Sequence, residues 1–368
     1  MNVLVTGADG FVGKNLCVSL QRIEDLEVVK FNHEYAIEDL QGLIESSDFI
    51  FHLAGINRPK DETEFLEGNA DLTENICNCI RESGRNIPLV LTSSVQAERP
   101  NAYGRSKLKA EMHVLNLYMD LNNAVYIYRL PNVFGKWCKP NYNSVVATFC
   151  HNISHNLPIQ INEPEAELNL VHIGAVVSSF IGVMQSRPTD AIYVNVDPIY
   201  KVTLGELADQ LYKFKNSRET LVVEAVGDGF TRVLYATYIS YISPGDFNYA
   251  LTKHEDPRGT FVEMLKTKDS GQFSFFTAHP GVTRGGHYHH VKTEKFLVIK
   301  GKARFGFRHI VTNEVYEIMT SGEHPEVVET VPGWSHDVTN VGEDELVVML
   351  WANENFDKAR PDTVCFKV

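Results

Sequence analysis

Four side chains in the last quarter of the chain have the types and spacing of a metal site. His287 and His289 lie two apart, Glu294 follows, and His336 comes between Pro332-Gly333 and Asn340. Zinc and similar divalent ions take imidazole and carboxylate donors from a rigid scaffold. Residues two apart on a strand face one side, so His287 and His289 can reach one ion. Glu294 would return on the next strand and His336 on a distant hairpin. A strand bulge would bring in His290 instead of His289. A second set lies in the first third. Tyr103 and Lys107 are four apart, which on a helix puts both on one face. An ammonium beside a phenol favours the phenolate, so the tyrosine can exchange a proton with an alcohol or carbonyl oxygen. Ser94, or its neighbour Ser93, can offer a hydroxyl to that same oxygen. Each set also has a plain reading: an exposed helix face, and a metal-free barrel whose histidines only form hydrogen bonds.

A third pattern is the turn Gly7-Ala-Asp-Gly10-Phe11-Val12-Gly13. After a strand and before a helix, such glycines let the backbone approach a pyrophosphate, whose charge the helix N-terminus faces. Alone, the triplet also fits an ordinary strand–helix turn. Sites for NAD usually end the second strand with an acid for the ribose 2′-hydroxyl. Here Asn32 and His33 stand at that point, with Lys14 and Lys30 near and Glu34 just beyond. A 2′-phosphate fits these groups better, so NADPH is the expected coenzyme.

The elements that must hold these groups change character along the chain. Residues 3–6, 27–31, 48–54, 87–93 and 124–130 read as strands. Residues 11–22, 64–83 and 103–121 read as the helices between them. Strands separated by helices of this length predict a parallel, doubly wound sheet. The helical rhythm stops around residues 231–250. Beyond it come only strand-like pieces, at 259–266, 271–278, 294–299, 303–308, 315–319, 327–331 and 345–351, with turn residues between them. That pattern predicts an all-β sandwich or barrel. The expected domains are therefore 1–245 and 246–368.

Composition sets the outer limits. A chain of 368 residues is long for one core. A net charge of −13 disfavours tracking a phosphate backbone, so nucleic acid is an unexpected partner, while an anionic small molecule needs only a local positive pocket. The apolar run 346–352 is far too short to span a bilayer. No signal peptide is read at the start. Six scattered cysteines without a C-x-x-C pair read as reduced thiols of a cytoplasmic protein.

Taken in order, residues 6–13, His52-Leu-Ala-Gly55, Asn69, Thr92-Ser-Ser94, Tyr103…Lys107 and Arg129-Leu-Pro-Asn-Val-Phe-Gly135 resemble the extended short-chain dehydrogenase/reductase family. The resemblance covers about residues 1–240 and implies a Rossmann-like sheet. It implies a dinucleotide held by Gly7, Gly10, Phe11, Val12, Gly13, Asn32, His33, Leu53, Ala54, Asn69, Tyr103 and Lys107. Within that site it makes Tyr103 the acid/base, Lys107 the holder of the nicotinamide ribose and Ser94 the group that orients the carbonyl. Pro131 and Asn132 are implied to contact a nucleotide-sugar. One stretch departs from the family: residues 168–177 carry His172 where many relatives carry an aspartate-rich run.

His287, His289 and Glu294, with Pro332, Gly333, His336 and Asn340, resemble the two cupin motifs over about residues 256–351. This implies a cupin barrel holding zinc or a similar divalent metal on three histidines and one glutamate. Residues 256–263 and 284–288 also resemble cupin-type dTDP-4-keto-sugar 3,5-epimerases, in which such a histidine is a base and no ligand. The two halves together resemble bifunctional enzymes of capsular polysaccharide synthesis. That implies a UDP-2-acetamido-2,6-dideoxy-4-hexulose substrate, epimerised at C3 by the cupin and reduced at C4 with NADPH, and a homodimer. A single-activity reductase with a sugar-binding or dimerising barrel would use the same residues.

Overall fold

The computed structural model describes residues 1–368 except 33, 190–191, 253, 257–258, 262–264, 268–270 and 355–358. For 254–256, 259–261, 266–267 and 272–274 it describes the backbone alone. Among the described residues, no helix is long and apolar enough to cross a membrane. Cys17, Cys77, Cys79 and Cys365 are free thiols.

The N-terminal part is built on five strands: β1 (Asn2–Thr6), β2 (Glu27–Phe31), β3 (Phe49–His52), β4 (Leu89–Ser94) and β5 (Val125–Leu130). They pair in parallel in the order β2-β1-β3-β4-β5. Each strand is apolar on both faces, as a sheet covered on both sides requires. Val3 and Val5 join Phe49, Phe51, Tyr126 and Tyr128 in one core, with helix α1 (Phe11–Leu20) and the helix Ile173–Ser186. Leu4 points the other way, into a core with Ile50, Leu89, Leu91 and Ile127 under the helices Leu72–Ser83 and Ala102–Leu121. Strand order reverses between β1 and β3, and in open α/β sheets ligands bind outside the carboxyl ends of the strands at that point.

The C-terminal part holds two five-stranded antiparallel sheets. One contains Glu294–Lys300 between Glu326–Glu329 and Leu346–Ala352. The other contains Trp334–Asn340 between Lys302–His309 and Thr283–Tyr288. The rings of Phe296 from the first and Phe305 from the second lie 5.6 Å apart, so the sheets face each other across an apolar core.

By compactness the chain divides into residues 1–145 with 168–202, and residues 146–167 with 203–368. The second unit therefore includes helices that sequence reading grouped with the N-terminal domain. Glu329, buried on its strand, receives Arg218 from the helix Leu204–Thr220 and Lys295 from the neighbouring strand. Tyr249 lies under both cations. Arg232 of the helix Gly229–Ile239 pairs with Glu354. The Phe247 ring packs edge-on against Phe307 and Trp334.

Candidate active site and metal centre

The glycine turn leaves β1 at the point where strand order reverses. Gly7 has φ +67°, and a Cβ on it would sit 2.7 Å from the Ala54 amide nitrogen. A Cβ on Gly13 would sit 2.2 Å from the Gly7 carbonyl oxygen, so α1 can start this close to β1 only with glycine there. Beside the turn is a cavity of about 370 Å³, lined by Gly7, Asp9 and Gly10, by Phe31 and Asn32 at the end of β2, and by Tyr35, Ile37, Ala54 and Leu72. This cradle of bare backbone with an apolar side wall fits the adenosine half of a dinucleotide. Among the described lining residues the charged group is Asp9, whose carboxylate accepts a hydrogen bond from Asn32 at 2.7 Å. Lys14 and Lys30 do not line the cavity. His33 lies outside the described residues.

The catalytic candidates meet at the end of β4. Successive strand residues point to opposite faces, and this separates the two serines. Ser93 donates its hydroxyl to the buried Glu111. Ser94 turns the other way, accepts the Gln96 N–H at 3.1 Å and hydrogen-bonds the Tyr103 phenol. Tyr103 sits in the first turn of the helix Ala102–Leu121, which starts there because Asn101 caps the Gly104 N–H at 2.7 Å. Burial pushes the phenol up, and the Ser94 hydrogen bond pulls it partly back. One helical turn on, Lys107 is buried and donates to the Thr92 carbonyl at 3.1 Å. Burial brings its pKa down to about 8, with Glu111 working the other way. Asn69, in a π-helical turn at Leu66–Asp71, donates to Ser106 at 3.0 Å. A Cβ on Gly55 would touch both the Asn69 side chain and Lys107.

Sequence reasoning missed the support beneath these groups. Glu111 takes Arg129 through both carboxylate oxygens and accepts the Tyr193 hydroxyl at 3.1 Å. His52 bridges Thr6 at 2.7 Å and Thr73 at 2.8 Å, and burial holds its pKa down to about 3, so it stays neutral. The one available signal was that Glu111 lies four residues after Lys107 on the same helix. Pro131 and Asn132 lead into the short strand Asn132–Phe134, which pairs with Glu167–His172. His172 caps the next helix, accepting the Gly174 N–H at 3.1 Å.

In the antiparallel part, His287, His289, Glu294 and His336 do converge, with one donor atom from each within 4.8 Å of all the others. His287 lies one residue before the end of its strand, just after a register shift between Gly285 and His287, and His336 pairs directly with it from the central strand. Glu294 opens a strand of the opposite sheet. Burial, with the neighbouring His336 and His289, takes His287 down to about 3, and burial also lowers His336. Both rings therefore present neutral nitrogens. Burial alone would raise Glu294, but the adjoining His289 and His336 rings outweigh it and keep the carboxyl well below its usual range. Lys292 reaches the other Glu294 oxygen at 2.7 Å.

Two details fit an ion. His289 Nδ1 donates to the backbone carbonyl of Asp362, which leaves the Nε2 lone pair 3.0 Å from a Glu294 oxygen. Two acceptors at that separation need a cation between them, a proton or a metal ion. Buried His336 Nδ1 has no hydrogen-bond partner among the described residues. His290 stands apart from the cluster, its ring against Tyr288. Of the epimerase-like stretch, residues 257–258 and 262–263 lie outside the described residues, and Arg284 donates to the Thr277 carbonyl at 3.1 Å.

The sequence profile of the NAD dependent epimerase/dehydratase family matches residues 3–196. The chain belongs to this family. A second profile, the polysaccharide biosynthesis C-terminal domain, matches residues 254–364. The chain is a close homologue of two full-length relatives. It is 60% identical over 368 residues to UDP-2-acetamido-2,6-beta-L-arabino-hexul-4-ose reductase of Pseudomonas aeruginosa, covering 100% of this chain and 99% of that protein. The crystal structure of the capsular polysaccharide assembling protein CapF from Staphylococcus aureus superposes with a TM-score of 0.69 at 41% identity, covering 100% of both chains. UDP-glucuronic acid 4-epimerase from Bacillus cereus, at 17% identity and TM-score 0.54 over 59% of this chain and 83% of that one, shares the fold.

Proposed function

We propose that the chain is a bifunctional enzyme of UDP-N-acetyl-L-fucosamine synthesis, serving capsular or O-antigen polysaccharide. Its substrate is a UDP-2-acetamido-2,6-dideoxy-4-hexulose. The C-terminal part, read as a cupin barrel, epimerises C3. The N-terminal part, residues 1–245 in this reading, then reduces the C4 ketone with NADPH to give UDP-2-acetamido-2,6-dideoxy-L-talose. The observation that carries the proposal is full-length identity of 60% to a protein named as a 4-ulose reductase. The meeting of Ser94, Tyr103 and Lys107 supports it.

When bound, the nicotinamide supplies a hydride and a divalent ion, zinc in this reading, supplies a Lewis acid. The remaining work falls to the chain. Tyr103 donates its proton to the C4 oxygen, and Ser94 holds that oxygen by a hydrogen bond. Lys107, with its pKa near 8, is mostly protonated at neutral pH and stabilises the phenolate left behind. Pro131 and Asn132 face the nucleotide-sugar. His287, His289, Glu294 and His336 hold the ion. A C–H beside a ketone is acidic, so C3 inverts only while C4 is a carbonyl, and reduction then fixes the new configuration.

For the coenzyme, the absence of an acid at the end of β2 supports NADPH. NADH is a second reading, favoured by the Asp9 carboxylate beside Asn32 in the adenosine cavity. The test is incubation with a UDP-4-keto-6-deoxy sugar and each coenzyme, following reduced-nicotinamide absorbance. Oxidation of NADPH with the higher kcat/KM is expected, and no consumption of either coenzyme would sink the reductase reading. Deuterium entering C3 from deuterium oxide without nicotinamide is expected of the epimerase step. Sedimentation should give the mass of a homodimer.

A further inference from the structure

The chain between two of the clustered donors, residues 290–293, belongs to neither sheet, so its backbone N–H groups need partners elsewhere. They find them on side chains. His290 N–H donates to Asp362 Oδ1 at 2.9 Å, and Val291 and Lys292 N–H donate to Asp362 Oδ2 at 2.7 and 2.8 Å. Thr293 N–H then donates to Asn353 Oδ1 at 2.9 Å, and Glu294 N–H to Thr330 Oγ1 at 2.9 Å. Three successive N–H groups on one carboxylate form an anion cradle with charge-assisted bonds. The backbone carbonyl of the same Asp362 accepts the His289 Nδ1 proton. A single residue, remote in sequence, thus selects which nitrogen His289 presents and sets the path from His289 to Glu294.

We infer that Asp362 is a positioning residue of the metal centre, acting on His289 through its carbonyl and on Glu294 through the loop it cradles. The inference rests on reading the three histidines and Glu294 as metal donors. Groups that orient ligands commonly change metal affinity by about 10–100-fold when removed. A residue that only stiffened the loop would lower the melting temperature and leave the donor geometry alone.

The test uses full-length protein as wild type, Asp362→Ala, Asp362→Asn and His336→Ala. Zinc affinity is measured by chelator competition, and the visible spectrum is recorded after loading with Co²⁺. Near-ultraviolet circular dichroism reports the fold. Asp362→Ala should bind zinc about 10–100-fold more weakly, with an altered cobalt spectrum. Asp362→Asn keeps the size and one acceptor oxygen, so it should fall between. It decides the matter if the alanine variant does not fold. His336→Ala should lose affinity as the loss of a direct donor. Folded Asp362 variants with wild-type affinity and spectrum would overturn the inference while leaving the metal reading intact. Wild-type protein that binds neither ion would overturn both.

Discussion

The two candidate sites hold their reactive groups by opposite means. The tyrosine site is built from neighbours in sequence: the end of β4 and one helix carrying Tyr103, Lys107 and Glu111. Its geometry follows from strand alternation and helical spacing. The histidine site is built from strangers. His287 and His336 come from one sheet and Glu294 from the other, and the loop between His289 and Glu294 is held by side chains far along the chain. The first design can be read locally. The second exists only once long-range strand pairing is complete.

Three measurements test this contrast. The largest effect should come from Tyr103→Phe. Losing the proton donor should lower NADPH-dependent turnover by about 10²–10⁴-fold, with coenzyme binding, metal content and C3 exchange unchanged. A parallel loss of C3 exchange would mean that the two chemistries share the tyrosine. Next is Glu329→Ala. It leaves Arg218 and Lys295 buried without their carboxylate, so the unit of residues 146–167 and 203–368 should lose about 3–5 kcal/mol. Denaturant unfolding should report the loss by fluorescence of Trp334 and Trp351, both in that unit; an unchanged transition would make the joint dispensable. The last effect is gradual, small at each step of pH, and concerns His52. Its pKa is lowered in the fold to about 3 from 6.5, so its contribution is fully present above 6.5. As pH falls below that, the unfolded chain takes up a proton that the folded chain refuses, costing about 1.4 kcal/mol per pH unit. Comparing wild type with His52→Gln between those limits should show a shallower acid slope in the variant. Equal slopes would mean that His52 takes up its proton in the folded chain as well.

Most of the N-terminal architecture was legible, because short, mostly apolar strands alternate with segments of helical length. The helix expected over residues 64–83 is the exception. It is broken into a short turn, a π-helical turn at Leu66–Asp71 and Leu72–Ser83, and the irregular turn is where Asn69 reaches Ser106. In the C-terminal part, six of the seven predicted strand-like pieces overlap observed strands closely; the first, 259–266, holds only the short Gly259–Phe261 and the start of Lys266–Thr267. The strand Trp334–Asn340 was overlooked, and it lies at the centre of its sheet. Its buried residues include Ser335, His336, Asp337 and Asn340, so no apolar alternation marks it. The polar groups that make it useful hide it from a hydrophobicity pattern. The resemblance to the cupin motifs assembled the four donors; strand periodicity spoke only for His287 and His289, and His289 lies just past the strand Thr283–Tyr288. Neither could supply Asp362 or Asn353, whose roles depend on which loop they meet.

The ion pairing around Glu329 bears on how such chains are inherited. A breakpoint at the start of the all-β motif would part Glu329 from Arg218 and Glu354 from Arg232. Natural or laboratory recombination that transplants these sheets should therefore carry the helices from residue 203 onward as luggage. Chimaeras joined inside that stretch should be recovered less often than chimaeras joined before it.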